Sequence, residues 1–294
     1  MPRAQLHSPL VKLLLLLRVL RWYNVLALFL AQAAVAWVVF AAGNGWLVLT
    51  DAKLGAILIS SACTVAAAFL INAFYDKDKD LINKPQQVIM GRLMRQGPLL
   101  NVYLLLVVIA LVLGTLASWR IGFFFLGFNG LCWFYSHKLQ KLPWLREFSA
   151  SWLTLAPLLA VWLHYGSWHW GFAYYLLGLW LLLFTRELWK DLTGHQGNIV
   201  FGYRTIAVQT GQGWLRQNLP LIQVVVVLGM LLWSRWQGFE FDFYYTTALA
   251  MALVCLLLSV GIAWSKASPK LDAGFKLAVT AYVLALLLHG GGLL

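Results

Sequence analysis

Three oxygen-bearing side chains recur at intervals of four residues where a long apolar run meets a polar segment: Asn72, Asp76 and Asp80. On a helix they fall within about 80° of one face, whereas Asp78 lies on the opposite side. Ionisable residues at membrane depth are costly and usually mark a functional site. Mg²⁺ commonly binds one or two carboxylates together with phosphate oxygens of a substrate. The pattern predicts a metal-assisted site; the alternative is a solvated helix end with alternating acids and lysines.

A second acidic pair, Glu187 and Asp191, also spaced four apart, follows a later apolar run. Gly194 and Gly197 come next and would allow the backbone to approach a ligand closely. Basic residues lie near both clusters. Two acidic clusters with cations beside them fit a diphosphate held by Mg²⁺, because the charge of a departing phosphate group must be neutralised.

The composition indicates what must position these clusters. The chain has 294 residues, of which 62% are hydrophobic and 11% charged, whereas a soluble domain has about 25% charged residues. Its apolar runs are continuous and long enough to cross a bilayer as helices, which is not the alternating pattern of a β-barrel. We predict an all-α, polytopic membrane bundle of nine transmembrane helices around a central cavity. The predicted spans are 23–42, 54–75, 99–118, 121–137, 148–165, 169–186, 219–235, 244–264 and 273–290.

The positive charge indicates the topology. Nearly all of the 22 Lys and Arg lie in the N-terminus or beside the segments after even-numbered spans. Because positive residues stay inside, we predict a cytoplasmic N-terminus and a cytoplasmic site in a bacterial or archaeal inner membrane. The net charge of +12 is thus a topology signal, and no nucleic-acid partner is expected. We interpret 1–294 as one domain, with an interfacial helix at 8–21 and cytoplasmic cap loops at 76–98 and 187–218.

The first motif resembles that of the UbiA superfamily of intramembrane prenyltransferases, which runs Asn-Asp-x-x-Asp-x-x-x-Asp. Asn72, Asp76 and Asp80 match three of its polar positions, while Ala73 replaces the acid after the Asn. The stretch 82–92 is similar to the loop after that motif. This resemblance extends over about residues 12–290 and is closest to members that transfer a geranylgeranyl group to geranylgeranylglyceryl phosphate.

Three further stretches carry the same resemblance. Residues 21–24 resemble the Arg-Pro-Pro-Asn before the first crossing, and 135–143 resemble a Tyr-Ser…Lys…Pro segment. Residues 186–191 are similar to Arg-Glu-x-x-Lys-Asp. The family usually has further acids where this chain has Gly194 and Asn198, so the resemblance leaves open whether one or two metal ions bind.

The resemblance implies ionisation of an allylic diphosphate and capture of the resulting cation by an acceptor. It implies Mg²⁺ as cofactor, with Asp76, Asp80 and Asp191 as catalytic metal ligands. Further implied ligands are Asn72, Glu187 and Asn198. The implied diphosphate-binding residues are Arg21, Lys84, Arg92, Lys138, Lys141, Lys190 and Arg204. The implied substrate-binding residues are Asn24, Tyr75, Tyr135, Ser136 and Glu147.

Our leading hypothesis is therefore Mg²⁺-dependent transfer of a polyprenyl group, geranylgeranyl by resemblance, to a lipophilic acceptor such as a glyceryl phosphate lipid. The alternatives are transfer to an aromatic quinone precursor and a terpene cyclase of the same fold. Two others belong to different classes, a membrane transporter and a non-catalytic lipid-binding relative. Transporters usually place their ionisable groups near the bilayer midplane, and here the acids cluster at helix ends, which favours an enzyme. The sequence leaves the oligomeric state open.

Overall fold

The computed structural model describes residues 9–41, 44–83, 96–167, 170–237, 242–264 and 269–290. Within these ranges the chain is helical and contains no β-strand, so the all-α prediction is confirmed for this part of the protein. A π-helical segment, Ala36–Phe40, follows α2, and a 3₁₀ turn, Leu139–Lys141, follows α7. The helices, numbered α1 to α14 in chain order, are Pro9–Val19, Trp22–Val35, Gly45–Thr50, Ala52–Tyr75, Lys77–Asn83, Gln96–Ala117, Trp119–His137, Leu145–Tyr165, Trp170–Thr193, His195–Val200, Ile206–Thr210, Gln212–Gln237, Phe243–Trp264 and Pro269–Gly290.

Six helical segments in the described ranges are long and apolar enough to cross a membrane, and each coincides with a predicted span. They are Trp22–Phe40, Ala52–Tyr75, Gly97–Ala117, Gln212–Trp233, Phe243–Trp264 and Lys270–Gly290. The three remaining predicted spans fall largely within helices α7, α8 and α9. A membrane-embedded helical protein is thus supported, while the number of nine spans and the orientation of the N-terminus stay predictions.

The described residues divide into two compact units whose segments alternate along the sequence. The first unit takes its residues from Met1–Ala36, Asn44–Gln140 and Ala156–Tyr165. The second takes its residues from Trp37–Gly43, Lys141–Leu155 and Gly166–Leu294. The interpretation of the chain as one domain stays a prediction.

Buried polar contacts join the apolar helices of the first unit. In α2, Gln32 is fully buried, and its Nε2 donates to Ser61 Oγ at 2.9 Å and to the Pro157 carbonyl at 2.7 Å. Asn129 Nδ2 of α7 donates to Thr64 Oγ1 of α4 at 3.0 Å. Polar groups inside a membrane protein are satisfied by such interhelical bonds. Together they fix α2, α7 and the second half of α8 against α4, the helix that ends at the first acidic cluster.

Close helix packing positions α9 in the second unit. A Cβ built on Gly178 would come within 2.6 Å of Tyr282 Oη and 2.9 Å of Ala248 Cα, so only glycine fits between α9, α13 and α14. The Tyr282 hydroxyl donates to the Tyr175 carbonyl at 3.0 Å. Small residues at membrane-helix contacts allow this approach. Packing against α13 and α14 therefore positions α9, the helix that ends at the second acidic cluster.

The two predicted cap loops contain more helix than expected. The segment 187–218 comprises the end of α9, the short helices α10 and α11, and the start of α12. Gly211, with φ of 85°, makes the turn between α11 and α12, a backbone conformation that glycine adopts without strain. In 76–98, α5 and the start of α6 are described, and residues 84–95 lie outside the described ranges. A helix is present at Pro9–Val19, and its interfacial position stays a prediction.

Candidate functional site

The first cluster lies at a break between two helices. The spacing of Asn72, Asp76 and Asp80 predicts one continuous helix, whereas α4 ends at Tyr75 and α5 begins at Lys77, with Asp76 at the junction. The Asp76 amide still donates to the Asn72 carbonyl at 2.9 Å, and Asn72 Nδ2 donates to Asp76 Oδ2 at 3.0 Å. The structure thus brings together Asn72 and Asp76 as predicted. The side chain of Asp80 lies outside the described part of the chain.

Asp76 forms an ion pair with the ammonium group of Lys79. Lys79 Nζ lies 2.7 Å from Asp76 Oδ1, and both side chains are more than 90% buried. One carboxylate oxygen therefore contacts an ammonium and the other an amide. Asp76 supplies the carboxylate oxygens that Mg²⁺ takes, whereas Asn72 presents its amide nitrogen to that carboxylate in this structure. Lys79 was not among the predicted site residues, although its position three residues after Asp76 is the spacing of a helical ion pair.

Aromatic rings lie beside this cluster in the first unit. Tyr75, next to Asp76, packs edge-on against His137 with ring centroids 5.5 Å apart. His137 in turn stacks on Trp133 at 5.3 Å. Ser136, predicted to bind substrate, is buried and donates to the Cys132 carbonyl at 3.1 Å. Its hydroxyl hydrogen is therefore used within its own helix.

The predicted cations of the first unit have different surroundings. Arg21 adopts a left-handed backbone, with φ of 50°, before α2, and its guanidinium lies 5.0 Å from the ring centroid of Phe69. The backbone N–H of Asn24 donates to the Arg21 carbonyl at 2.7 Å, which places these two predicted residues together. Lys138 caps α7 with an exposed side chain, and Tyr135 is half-buried. The predicted residues Lys84 and Arg92 lie outside the described ranges.

The second cluster is centred on Asp191, whose side chain is fully buried near the end of α9. Its Oδ1 accepts from Arg146 Nη1 at 2.8 Å and from Asn198 Nδ2 at 2.9 Å, and its Oδ2 accepts from the Ala207 amide at 2.8 Å. The helices α8, α10 and α11 each supply one of these donors. Asp191 on α9 is therefore hydrogen-bonded to three other helices of the second unit.

The role of Asp191 and Asn198 as metal ligands stays a prediction, and in this structure their side chains bond to each other. Asn198 presents its amide nitrogen to the carboxylate, whereas a shared ion would require its carbonyl oxygen there. The Asp191 carboxylate is surrounded by N–H donors, and a metal site needs oxygen donors around the ion. Among the described residues, no three His, Cys, Asp or Glu side chains lie close enough together to hold a metal ion.

Glu187, the other implied ligand in this unit, forms an ion pair with Lys190 one helical turn away. Burial acts against ionisation of Glu187, but Lys190, assisted by Arg186 and Arg146, outweighs it and lowers the pKa of Glu187. Glu187 and Lys190, both of them predicted site residues, therefore pair their opposite charges in this structure.

The predicted cations Lys141 and Arg204 come together through the backbone, since the Arg204 amide donates to the Lys141 carbonyl at 3.0 Å. Both side chains are exposed. They supply positive charge at the surface near the short helices α10 and α11.

Glu147, predicted to bind substrate, is fully buried in the first turn of α8, and neither of its carboxylate oxygens has a hydrogen-bond partner. Its Oε1 lies 3.7 Å from Arg146 Nη1. Glu147 precedes the predicted span 148–165, and burial raises its pKa to about 7, although Arg146 lowers it. Asp191 raises it further.

Arg146 is the partner of Asp191 that the sequence interpretation missed. It precedes Asp191 by 45 residues, so no local spacing connects the two. The one sequence signal is that the chain has Asn198 where the resemblance expects an acid, and that signal does not point to Arg146.

The profile of the UbiA prenyltransferase family matches residues 29–284. A digeranylgeranylglyceryl phosphate synthase of Methanospirillum hungatei is 28% identical over 182 residues, which cover 59% of this chain and 63% of that protein. The chain spans 53 to 63% of the length of the curated relatives it matches.

Solved structures show the same fold. A UbiA homologue from Archaeoglobus fulgidus bound to DMAPP and Mg²⁺ superposes with a TM-score of 0.68, covering 92% of this chain and 98% of that one at 17% identity. A structure from work on digeranylgeranylglyceryl phosphate synthase in membranes gives a TM-score of 0.66 at 16% identity, covering 94% of this chain and 99% of that one. At these identities the likeness concerns the fold.

Proposed function

The chain belongs to the UbiA prenyltransferase family, and from that premise we propose that it transfers a prenyl group from an allylic diphosphate to a lipophilic acceptor in the membrane. The observation that carries the proposal is the ion pair between the buried Asp76 carboxylate and Lys79, which lies at the end of a helix long enough to cross a membrane. A diphosphate needs cations at the membrane boundary, while its prenyl chain needs apolar helices beside them.

The residues of the first cluster would hold the head of the substrate. Mg²⁺, when bound, would neutralise the charge that develops on the departing diphosphate. Asp76 and Asn72 are the candidate ligands with described side chains, and Asp80 is a further candidate from its spacing. Lys79 pairs with Asp76 in the present structure, and its long side chain can turn toward a phosphate oxygen when the carboxylate takes a metal.

The chemistry that follows depends on exclusion of water and on stabilisation of positive charge. The bond between C1 of the prenyl group and the diphosphate oxygen breaks, and an acceptor atom forms a new bond to C1. Aromatic faces stabilise a nearby cation by about 0.5–2 kcal/mol each, and Tyr75 is the aromatic residue next to Asp76. Apolar helices keep water away from the reactive intermediate.

We further propose geranylgeranyl diphosphate as donor and a glyceryl phosphate lipid as acceptor. The relatives named digeranylgeranylglyceryl phosphate synthase support this choice. By the distribution of Lys and Arg in the sequence, the site would face the cytoplasm.

The test uses purified full-length protein in nanodiscs with geranylgeranyl diphosphate, Mg²⁺ and a geranylgeranylglyceryl phosphate acceptor. We expect diphosphate release and a prenylated product by mass spectrometry, both abolished by EDTA. Asp76→Asn should lower the rate at least about 100-fold, because even outer-shell partners of a metal contribute 10- to 100-fold. Asp78→Asn is the matched control, since Asp78 is exposed two residues away and should be dispensable.

Other outcomes would separate the alternatives. Diphosphate release without added acceptor, together with a cyclic hydrocarbon product, would indicate a terpene cyclase. Product formed only with aromatic acceptors would indicate quinone-precursor prenylation. No Mg²⁺-dependent release from folded protein with any acceptor would refute the enzyme proposal and favour transport or lipid binding.

A further inference from the structure

Three consecutive apolar side chains are exposed at the end of the short helix α10. Ile199, Val200 and Phe201 are 55%, 64% and 42% exposed. Asn198, the residue before them, is buried and bonds to Asp191, so α10 is fastened to α9 while the three apolar side chains stay at the surface. Such a run is unfavourable in water and indicates a surface that an apolar phase covers.

A fourth exposed apolar side chain, Trp144, lies at the same end of the second unit. It is 56% exposed and has a left-handed backbone, with φ of 62°, a conformation that is strained for a bulky residue. The Arg204 backbone N–H donates to the Lys141 carbonyl at 3.0 Å. Trp144 and Phe201 are each three residues from one side of this bond, a reach of at most about 11 Å. The exposed apolar residues therefore belong to one region of the surface.

The depth of this region follows from the helix to which it is fastened. The predicted span 169–186 ends five residues before Asp191, which corresponds to a rise of about 8 Å along α9. Headgroups occupy roughly 5–8 Å on each side of the hydrocarbon core. Because Asn198 Nδ2 donates to Asp191 Oδ1 at 2.9 Å, the apolar run that follows Asn198 begins at headgroup depth. The next membrane-length segment, Gln212–Trp233, starts shortly after it.

Two exposed cations, Lys141 and Arg204, accompany the apolar residues. Their backbones are hydrogen-bonded to each other, so both charges belong to the same region. Basic residues at a membrane surface are attracted to anionic lipids, and Trp is enriched at the membrane–water interface. Apolar side chains that insert beside basic side chains are typical of segments that lie in the interface.

We propose that the segment 194–211 docks on the bilayer through a membrane-docking surface of four apolar and two basic side chains. This surface consists of Trp144, Ile199, Val200, Phe201, Lys141 and Arg204. The apolar side chains insert among the lipid headgroups, and the basic side chains bind the phosphates of anionic lipids in place of the diphosphate that the resemblance implies for them. The surface lies within the second unit and does not depend on the substrate proposed above.

The first experiment measures the surroundings of residue 201. A spin label is attached to Phe201→Cys in the full-length protein, in nanodiscs of phosphatidylcholine and phosphatidylglycerol. The background carries Cys63→Ala, since Cys132 and Cys255 are buried. Electron paramagnetic resonance then compares collisions of the label with O₂, which concentrates in lipid, and with a water-soluble nickel chelate.

Two matched labels give the limits of the measurement. Gln209→Cys replaces an exposed polar residue of α11 and should meet the nickel chelate, whereas Val225→Cys lies exposed in a membrane-length segment and should meet O₂. We expect the ratio of O₂ to nickel collisions at residue 201 to lie between the two and above that at residue 209. A ratio equal to that at residue 209 would overturn the proposal. Protection from both reagents would also overturn it, because another part of the chain or a second copy would then cover the surface.

The second experiment tests the contact with lipid phosphates. Arg204→Gln is added to the labelled Phe201→Cys protein, in nanodiscs with and without phosphatidylglycerol. With the anionic lipid, we expect the ratio of inserted to water-exposed label to fall about fivefold, the loss for one basic residue at an anionic surface. In phosphatidylcholine alone, the ratio should not change.

Arg235→Gln is the matched control for charge. Arg235 is exposed in the last turn of α12, at the end farther from α11, so its substitution removes the same charge without touching the membrane-docking surface. Equal effects of Arg204→Gln and Arg235→Gln, or no effect of Arg204→Gln in anionic nanodiscs, would overturn the assignment of lipid phosphates to this surface.

Discussion

Substitution of Glu147 by glutamine should make the protein more stable at alkaline pH. Burial raises the pKa of Glu147 from 4.5 to about 7, so the folded protein favours the neutral carboxylic acid. The free energy of unfolding therefore decreases as the pH rises from about 4.5 to 7, because the unfolded state releases its proton first. At about 1.4 kcal/mol per pH unit, ionised Glu147 costs roughly 3 kcal/mol above pH 7.

Glu147→Gln keeps the shape of the side chain and removes this cost. Equilibrium unfolding in mixed detergent micelles at pH 5 and pH 8 measures the effect. We expect the variant to gain up to roughly 3 kcal/mol over wild type at pH 8, and much less at pH 5. The gain is largest if the glutamine amide donates to a nearby carbonyl, since the carboxylate it replaces has no hydrogen-bond partner.

Glu187→Gln is the control with the opposite sign. Lys190 lowers the pKa of Glu187 against the effect of burial, so the ionised form stabilises the folded protein and that stability is lost as the pH falls through the lowered pKa. The variant should therefore be less stable than wild type at pH 8. If Glu147→Gln were equal to wild type at both pH values, or less stable at pH 8, the described surroundings of Glu147 would be wrong.

Two further substitutions test the packing of the second unit by thermal unfolding in detergent. Asn198→Asp replaces the amide donor 2.9 Å from Asp191 Oδ1 by a second carboxylate and should destabilise the protein by at least about 1–3 kcal/mol; unchanged stability would contradict the hydrogen bonds at Asp191. Gly178→Ala places a methyl group 2.9 Å from Ala248 Cα and should cost about 1–3 kcal/mol. Gly229→Ala, where a Cβ meets nothing within 4 Å, should be neutral, and equal effects of the two glycine substitutions would refute the close helix contact.

The helical architecture follows from the sequence because apolar length is a local property. Runs long enough to cross a bilayer gave helices at every predicted span, within the described residues. The segment 187–218 was predicted as a loop because its polar residues and glycines interrupt the apolar pattern. It folds as short helices, since Thr205 caps α11 through Val208 N and buried contacts to Asp191 hold the turns.

The candidate site was predictable where its contacts are local. Asn72 and Asp76 lie four residues apart, and a single helical turn places their side chains in contact. Arg146 and Asp191 come from different helices, and only the fold brings them together. The resemblance predicts Asn198 as a metal ligand, and the structure adds a contact that no spacing indicates, from Asn198 Nδ2 to Asp191 Oδ1.

The hydrogen bond from the Gln32 side chain to the Pro157 carbonyl limits the order in which the helices can pack during synthesis. Its acceptor at Pro157 is encoded 125 residues later, after the stretch Lys141–Leu155 that belongs to the second unit. A nascent chain released only as far as Gln140 would keep a polar hydrogen without an acceptor in the lipid, a state that costs several kcal/mol. The first unit can therefore be completed only after the stretch Lys141–Leu155 of the second unit has been synthesised.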